Sequence, residues 1–150
     1  MRRGGTLEPG DRYSLDNHVR HLIGIGFQRV GQWELADGVL VCKLEALQTN
    51  KNVLYAFVSG ETVLYVGKSV RTLQNRLKGY QKPGPTQRTN QRNHRLIREM
   101  LEGGDDVQIF AWADDGRLAY GPFHINLAAG LEDSIVGVLR PGWNGCGVKA

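Results

Sequence analysis

Apolar residues along the chain fall into helical and strand-like blocks. Leu15, Val19, Leu22 and Ile23 share one face at helical spacing, Asp16 and Asn17 suit the first turn, and Gly24 and Gly26 end the helix. Residues 27–35 and 39–47 read as two strands joined by an Ala36-Asp37-Gly38 turn, with Phe27 and Trp33 covering an apolar surface. Residues 52–58 form a strong strand pattern, Ser59-Gly60-Glu61 turns the chain, and residues 62–66 return it. Helical spacing resumes over 70–80, where Leu73 and Leu77 form the buried stripe and Arg76 lies beside it. Lys82-Pro83-Gly84-Pro85-Thr86 cannot continue a helix and reads as an exposed loop. A second helix is expected from Thr89 or Asn90 to Leu101, with Leu96, Ile97, Met100 and Leu101 on its apolar side and Gly103-Gly104 as its stop. Residues 107–112 alternate as a strand, and Asp114-Asp115-Gly116 is a turn. The last helix covers 127–139, packed by Leu131, Ile135, Val138 and Leu139 and ended by Pro141-Gly142. Residues 1–14 carry little pattern and are expected to be flexible.

Composition narrows this picture modestly. A chain of 150 residues with 41% hydrophobic content suits one domain around one core. The net charge of +4 and the pI near 9.3 favour polyanionic partners without proving them. Cys42 and Cys146 are the two cysteines, too few for a disulfide scaffold or a structural zinc site. The opening Met-Arg-Arg-Gly-Gly has no apolar stretch behind it, and no segment is long enough to span a bilayer. A soluble cytoplasmic protein is the expectation.

The chemistry-bearing residues are few. Tyr55 and Tyr65 alternate with Leu54, Phe57, Leu64 and Val66 on the two arms of the expected hairpin. Taken alone they fit best as cross-strand core aromatics; the functional reading is two phenols reaching one cleft. A phenol of reference pKa ~10 acts as a base at neutral pH only beside a cation or a metal-bound water. Lys68, just past the second arm, is a candidate for that cation. Val66-Gly67-Lys68-Ser69 lacks the upstream glycine spacing of a nucleotide-binding P-loop, and Gly67 is read as a point where the backbone bends. Arg76 packs its stem on the helix stripe and offers its guanidinium to a phosphate. Glu132 lies early in the last helix, where one carboxylate with water and substrate oxygens suffices for Mg²⁺. Asp133 beside it suits a plain electrostatic role at the helix start. His18, His21 and His124 are expected on the surface, and His94 is an auxiliary base or phosphate contact. No Ser-His-Asp order or carboxylate pair for glycoside hydrolysis is present.

Taken in order, these residues resemble the GIY-YIG nuclease family. Tyr55 in Val53-Leu54-Tyr55 takes the place of the first motif's tyrosine, and Tyr65-Val66-Gly67 followed by Lys68-Ser69 matches the second. Arg76-Leu77 resembles the helix arginine, Glu132 in Leu131-Glu132-Asp133-Ser134-Ile135 the metal-binding glutamate, and Asn144 after Pro141-Gly142-Trp143 the late asparagine. The likeness runs from Asn52 to Asn144, and the chain's size is similar to bacterial or phage stand-alone nucleases, including the restriction branch. It implies an α/β (α+β) fold: a three-stranded mixed or antiparallel sheet flanked by helices over residues 52–150; the resemblance does not cover residues 1–51, which their own pattern makes a helix-hairpin extension. It also implies a metal-dependent endonuclease cutting DNA to 5′-phosphate and 3′-hydroxyl ends, with Mg²⁺ or Mn²⁺ on Glu132. Tyr55 would act as a phenolate tuned by Lys68 or would position water, Tyr65 would orient water or a phosphate oxygen, and Arg76 would clamp the phosphate. The Gly-Ile of the first motif is Val53-Leu54 here, and Tyr80 stands where a histidine is common. Tyr80 or His94 would replace that histidine, or no such base is needed.

Around this core, Arg71, Lys82, Arg88, Asn90, Arg92 and Arg95 would grip DNA. Gln87, Asn90, Gln91 and Asn93 read either as base-contacting amides or as solvated polar residues. The alternative is a DNA-binding module that kept the fold and lost the chemistry. A monomer and a homodimer both fit, since one site cuts both strands only with a second protomer or by sequential nicking.

Overall fold

The computed structural model describes residues 15–145. In chain order the elements are α1 (Leu15–Gly24), β1 (Gln28–Ala36), β2 (Val39–Leu44), β3 (Val53–Ser59), β4 (Thr62–Ser69), α2 (Leu73–Gln81), α3 (Arg88–Glu102), β5 (Val107–Ala113), β6 (Ala119–Tyr120), β7 (Phe123–His124), α4 (Leu127–Leu139) and a 3-10 turn (Gly142–Asn144). The flexibility expected of residues 1–14, and Cys146, lie outside the described residues.

β1 to β5 make one sheet in the order β2-β1-β5-β3-β4, with every neighbouring pair antiparallel. The expected three-stranded sheet is therefore a five-stranded one. β5 is its centre: Val107, Ile109 and Ala111 are buried, and the strand bonds to β1 on one side and β3 on the other. The β1–β2 hairpin joins the sheet because Val30 and Trp33 are buried beside this strand, so the sheet is continuous across residue 51.

Helices cover both faces. Tyr55, Phe57, Tyr65 and Ile109 pack with Leu73, Leu77 and Tyr80 of α2 and Ile97 of α3. Leu54, Ala56 and Val66 pack on the opposite face with Leu22 of α1 and with Ile135 and Leu139 of α4. β3 is buried at six consecutive residues, Val53 to Val58, as a strand covered on both faces requires. His18 is buried where α1 packs near β4, which corrects its expected surface position. Among the described residues no helix is long and apolar enough to cross a membrane.

Local chemistry sets the ends. α2 starts at Leu73, later than its apolar spacing suggests, because Thr72 caps it by accepting from the Asn75 N–H at 3.3 Å. α4 starts at Leu127 under an Asn126 cap, and Asp114 accepts the Leu127 N–H at 2.9 Å. The short β6–β7 pair is unannounced, because strands of two residues carry no period.

Candidate active site

The β3–β4 register places Tyr55 directly opposite Gly67. A Cβ on residue 67 would lie 2.6 Å from the Tyr55 hydroxyl oxygen. Gly67 is needed for this space and not for a bend: it lies inside β4, and its φ is outside the left-handed region.

Tyr80 is the hub of the site. Its hydroxyl oxygen lies 2.6 Å from that of Tyr55, accepts an Arg76 N–H at 2.7 Å, and donates toward the Tyr65 oxygen at 3.5 Å. With Tyr80 donating to Tyr65, the short contact runs from Tyr55 as donor to Tyr80 as acceptor. The Arg76 guanidinium also lies over the Tyr80 ring, 4.4 Å from its centroid. Tyr55 and Tyr80 are fully buried. Burial pushes both phenols well above the ordinary tyrosine value, and Arg76 opposes that rise at both. Arg76 is the cation that most lowers the Tyr55 phenol. Tyr65 alone of the three phenols reaches a cleft, of about 410 Å³, which it lines with Arg88, Thr89, Arg92 and Asn144.

Lys68 opposes Leu54 in the register, so it projects from the α4 side of the sheet. Its ammonium faces Glu132 of α4 at 3.7 Å. The Glu132 carboxylate also raises the Tyr55 phenol, by less than burial, Arg76, Tyr65 or Tyr80 changes it. No group of three His, Cys, Asp or Glu side chains converges among the described residues. Mg²⁺ does not require such a cage: one carboxylate, waters and substrate phosphate oxygens are enough. Glu132, already seating the Lys68 ammonium as a cation, fits that donor set.

The remaining expected residues separate into bracing and exposed groups. Asn144 bonds to both the N–H and the C=O of Val66, the residue after Tyr65. Arg92 donates to the Trp143 carbonyl and so holds the turn that carries Asn144. Asn90 is buried, accepts from Arg76 at 3.2 Å and donates to Gln87 at 3.1 Å, so it holds the arginine and does not read base edges. Asn93 is fully buried as well, neither solvated nor base-reading. His94 Nδ1 meets the Tyr80 backbone carbonyl at 2.7 Å, on the main chain of the hub residue. Arg95 pairs with Glu99 one turn along, which offsets its charge. Arg71, Lys82 and Arg88 are exposed. Gln87 and Asn90 as supports of Arg76 escaped the sequence reading, since only the packing of α2 on α3 brings them there.

No protein-family model matches the chain. No curated protein matches it either. Among solved structures, a glutamate-to-alanine mutant of bacteriophage T4 EndoII is similar with TM-score 0.65 and 19% identity, over 85% of this chain and 97% of that one. Restriction endonuclease HPY188I in complex with product DNA is similar with TM-score 0.51 and 15% identity, over 91% of each chain. The chain shares the fold of these two structures. At these identities the likeness speaks for the fold, and the site rests on its own geometry.

Proposed function

We propose that this protein is a metal-dependent endonuclease that hydrolyses DNA phosphodiester bonds to 5′-phosphate and 3′-hydroxyl ends. The observation that carries the reading is the Tyr80 hydroxyl, which ties Tyr55, Tyr65 and Arg76 together beside a cleft lined by Arg88 and Arg92. A packing cluster has no need of a guanidinium among three phenols, whereas phosphoryl chemistry does. The structural relatives are named as an endonuclease with product DNA and as EndoII, which agrees with this reading.

In the proposed reaction a phosphodiester enters the cleft beside Tyr65. Two of the five guanidinium N–H donors of Arg76 are spent on Tyr80 and Asn90. The others remain for the phosphate, where they offset charge developing in the transition state. Tyr65 orients the attacking water, its own oxygen held by the Tyr80 O–H. Water oxygen bonds to phosphorus as the bond to the 3′ oxygen breaks; one proton of the water ends on the leaving oxygen as a hydroxyl, and the other stays on the new 5′-phosphate or passes to solvent. Mg²⁺ or Mn²⁺ held by Glu132 would supply neutralisation of phosphate charge. Tyr55 and Tyr80 stay protonated and fix the geometry.

The test is cleavage of supercoiled plasmid and of duplex, single-stranded and branched DNA with Mg²⁺, Mn²⁺ or EDTA, beside Glu132→Ala. Metal-dependent cutting that the variant loses while it still binds DNA is the expected result. Salt-sensitive binding with no cutting of any substrate would instead make the chain a binding module.

A further inference from the structure

A second cleft, of about 510 Å³, lies beside the first and is lined by Lys78, Gly79, Gln81, Lys82 and Gln87. Gln87 and Arg88 are consecutive, yet they line different clefts, so the two clefts flank the start of α3. Lys78 lies in the last turn of α2, and Lys82 follows it as the C-cap residue. Neither ammonium pairs with a carboxylate among the described residues. The arginines of α3 differ: Arg95 pairs with Glu99 and Arg98 with Glu102. Unneutralised cations converging on one cleft are what an anion relieves.

The cleft is also firmly built. Gln87 Oε1 accepts from the Gly84 N–H at 2.8 Å and from Asn90 Nδ2 at 3.1 Å. Gln91 Nε2 donates to the Gly84 carbonyl at 2.7 Å, so the first turns of α3 hold the 82–87 loop in place. With its oxygen spent, Gln87 keeps its NH₂ group as a donor for a ligand. Asn90 in turn holds Arg76, so one hydrogen-bonded chain leads from this cleft to the arginine of the candidate site.

We propose that the cleft of Lys78, Lys82 and Gln87 seats a non-scissile backbone phosphate of the nucleic-acid substrate, and that Gln87 and Asn90 tie this seat to Arg76. The proposal rests on the nuclease reading and adds to it a second point of grip on the same strand. A phosphate in this seat fixes the register of the strand relative to Tyr65 and carries no sequence information. Through Gln87 and Asn90 its arrival also favours the guanidinium orientation needed at the scissile phosphate.

The experiment measures affinity for a fluorescent duplex across a range of salt in EDTA, using the full chain. The variants are Lys78→Ala/Lys82→Ala, Gln87→Ala and, as a charge control on the opposite face, Arg20→Ala. All four residues are exposed, and thermal unfolding checks that each variant keeps the fold. The double lysine variant is expected to flatten the slope of log K against log salt by about 1, the loss of one phosphate contact, and Arg20→Ala to leave it near wild type. With Mg²⁺ in place of EDTA, Gln87→Ala is expected to lower saturating kcat several-fold although it touches neither Tyr65 nor Arg76. A double-variant slope equal to that of Arg20→Ala overturns the seat. Wild-type kcat in Gln87→Ala overturns the tie. Absence of DNA binding by the wild type overturns the nuclease reading itself, a result separable from both.

Discussion

Asn144 spends both ends of its side-chain amide on one residue, accepting from the Val66 N–H and donating to the Val66 C=O, each at 2.9 Å. β4 is an edge strand, and this amide acts as a one-residue neighbour for it beside Tyr65. Asn144→Ala leaves both backbone groups of a fully buried residue without that partner. A loss of about 1–3 kcal/mol in unfolding free energy is expected from urea titration. Asn144→Asp is expected to be no better, since a carboxylate cannot donate to the Val66 carbonyl.

Gly67→Ala is expected to be costly for a reason no turn explains. The new methyl would meet the Tyr55 hydroxyl at 2.6 Å, and that ring is fully buried and held by Tyr80. Overpacking of this kind costs about 1–3 kcal/mol. Thermal unfolding reads the loss, and since ring Cζ lies at 2.7 Å as well, Gly67→Ala/Tyr55→Leu should recover more of it than Gly67→Ala/Tyr55→Phe. Equal behaviour of the two double variants would remove the ring as the reason for glycine.

Tyr80→Phe is the sharpest probe of the hub. It leaves the buried Tyr55 hydroxyl and one Arg76 donor without their acceptor. Stability should fall by about 1–3 kcal/mol, and cleavage by about tenfold or more, equivalent to 1.4 kcal/mol or more of transition-state stabilisation. A variant with wild-type cleavage would show that Tyr80 only fills space.

Lys68 and Glu132 are exposed enough that their ion pair contributes little to stability. Lys68→Met is therefore expected to shift unfolding by less than about 1 kcal/mol. The same change removes a cation from the carboxylate, and Mn²⁺ affinity measured by calorimetry should rise up to about fivefold. Unchanged affinity would place the ion elsewhere than on Glu132.

Alkaline pH should unfold the protein through groups that resist ionisation when folded. Burial pushes the Cys42 thiol up to about 12 from 9.0, and the Tyr55 and Tyr80 phenols well above 10.0. Above these ordinary values the unfolded chain sheds protons that the folded chain keeps. Stability is then fully present below about pH 9 and falls as pH rises, by up to about 1.4 kcal/mol per pH unit for each group. Urea midpoints between about pH 8 and about pH 11 test this, and Tyr80→Phe should show a shallower decline.

Periodicity located nearly every element, and α4 spans the residues its pattern predicts, because local spacing and local breakers such as Pro141-Gly142 control it. The register of β1 on β5 was hidden, since no local signal pairs residue 33 with residue 107. The motif tyrosines were legible as a set, but their division of labour was not. Which phenol lies deep and which reaches the cleft depends on α2 laying Tyr80 between them. Asn90 was visible only as a polar residue on a basic helix, because its partner Arg76 comes from another element. The β6–β7 pair was missed since strands of two residues carry no period.

The order β2-β1-β5-β3-β4 also governs when the sheet can be finished. Both N-terminal hairpins are complete in sequence by Ser69, yet neither pairs with the other. Their shared partner, Val107–Ala113, leaves the ribosome after α3. Until then two hairpins wait with open edges, and long-range closure of this kind is slow and exposed to association. Synthesis stalled before Val107 would yield two hairpins without the strand that joins them, so nascent-chain protease resistance should appear in one step once β5 is free.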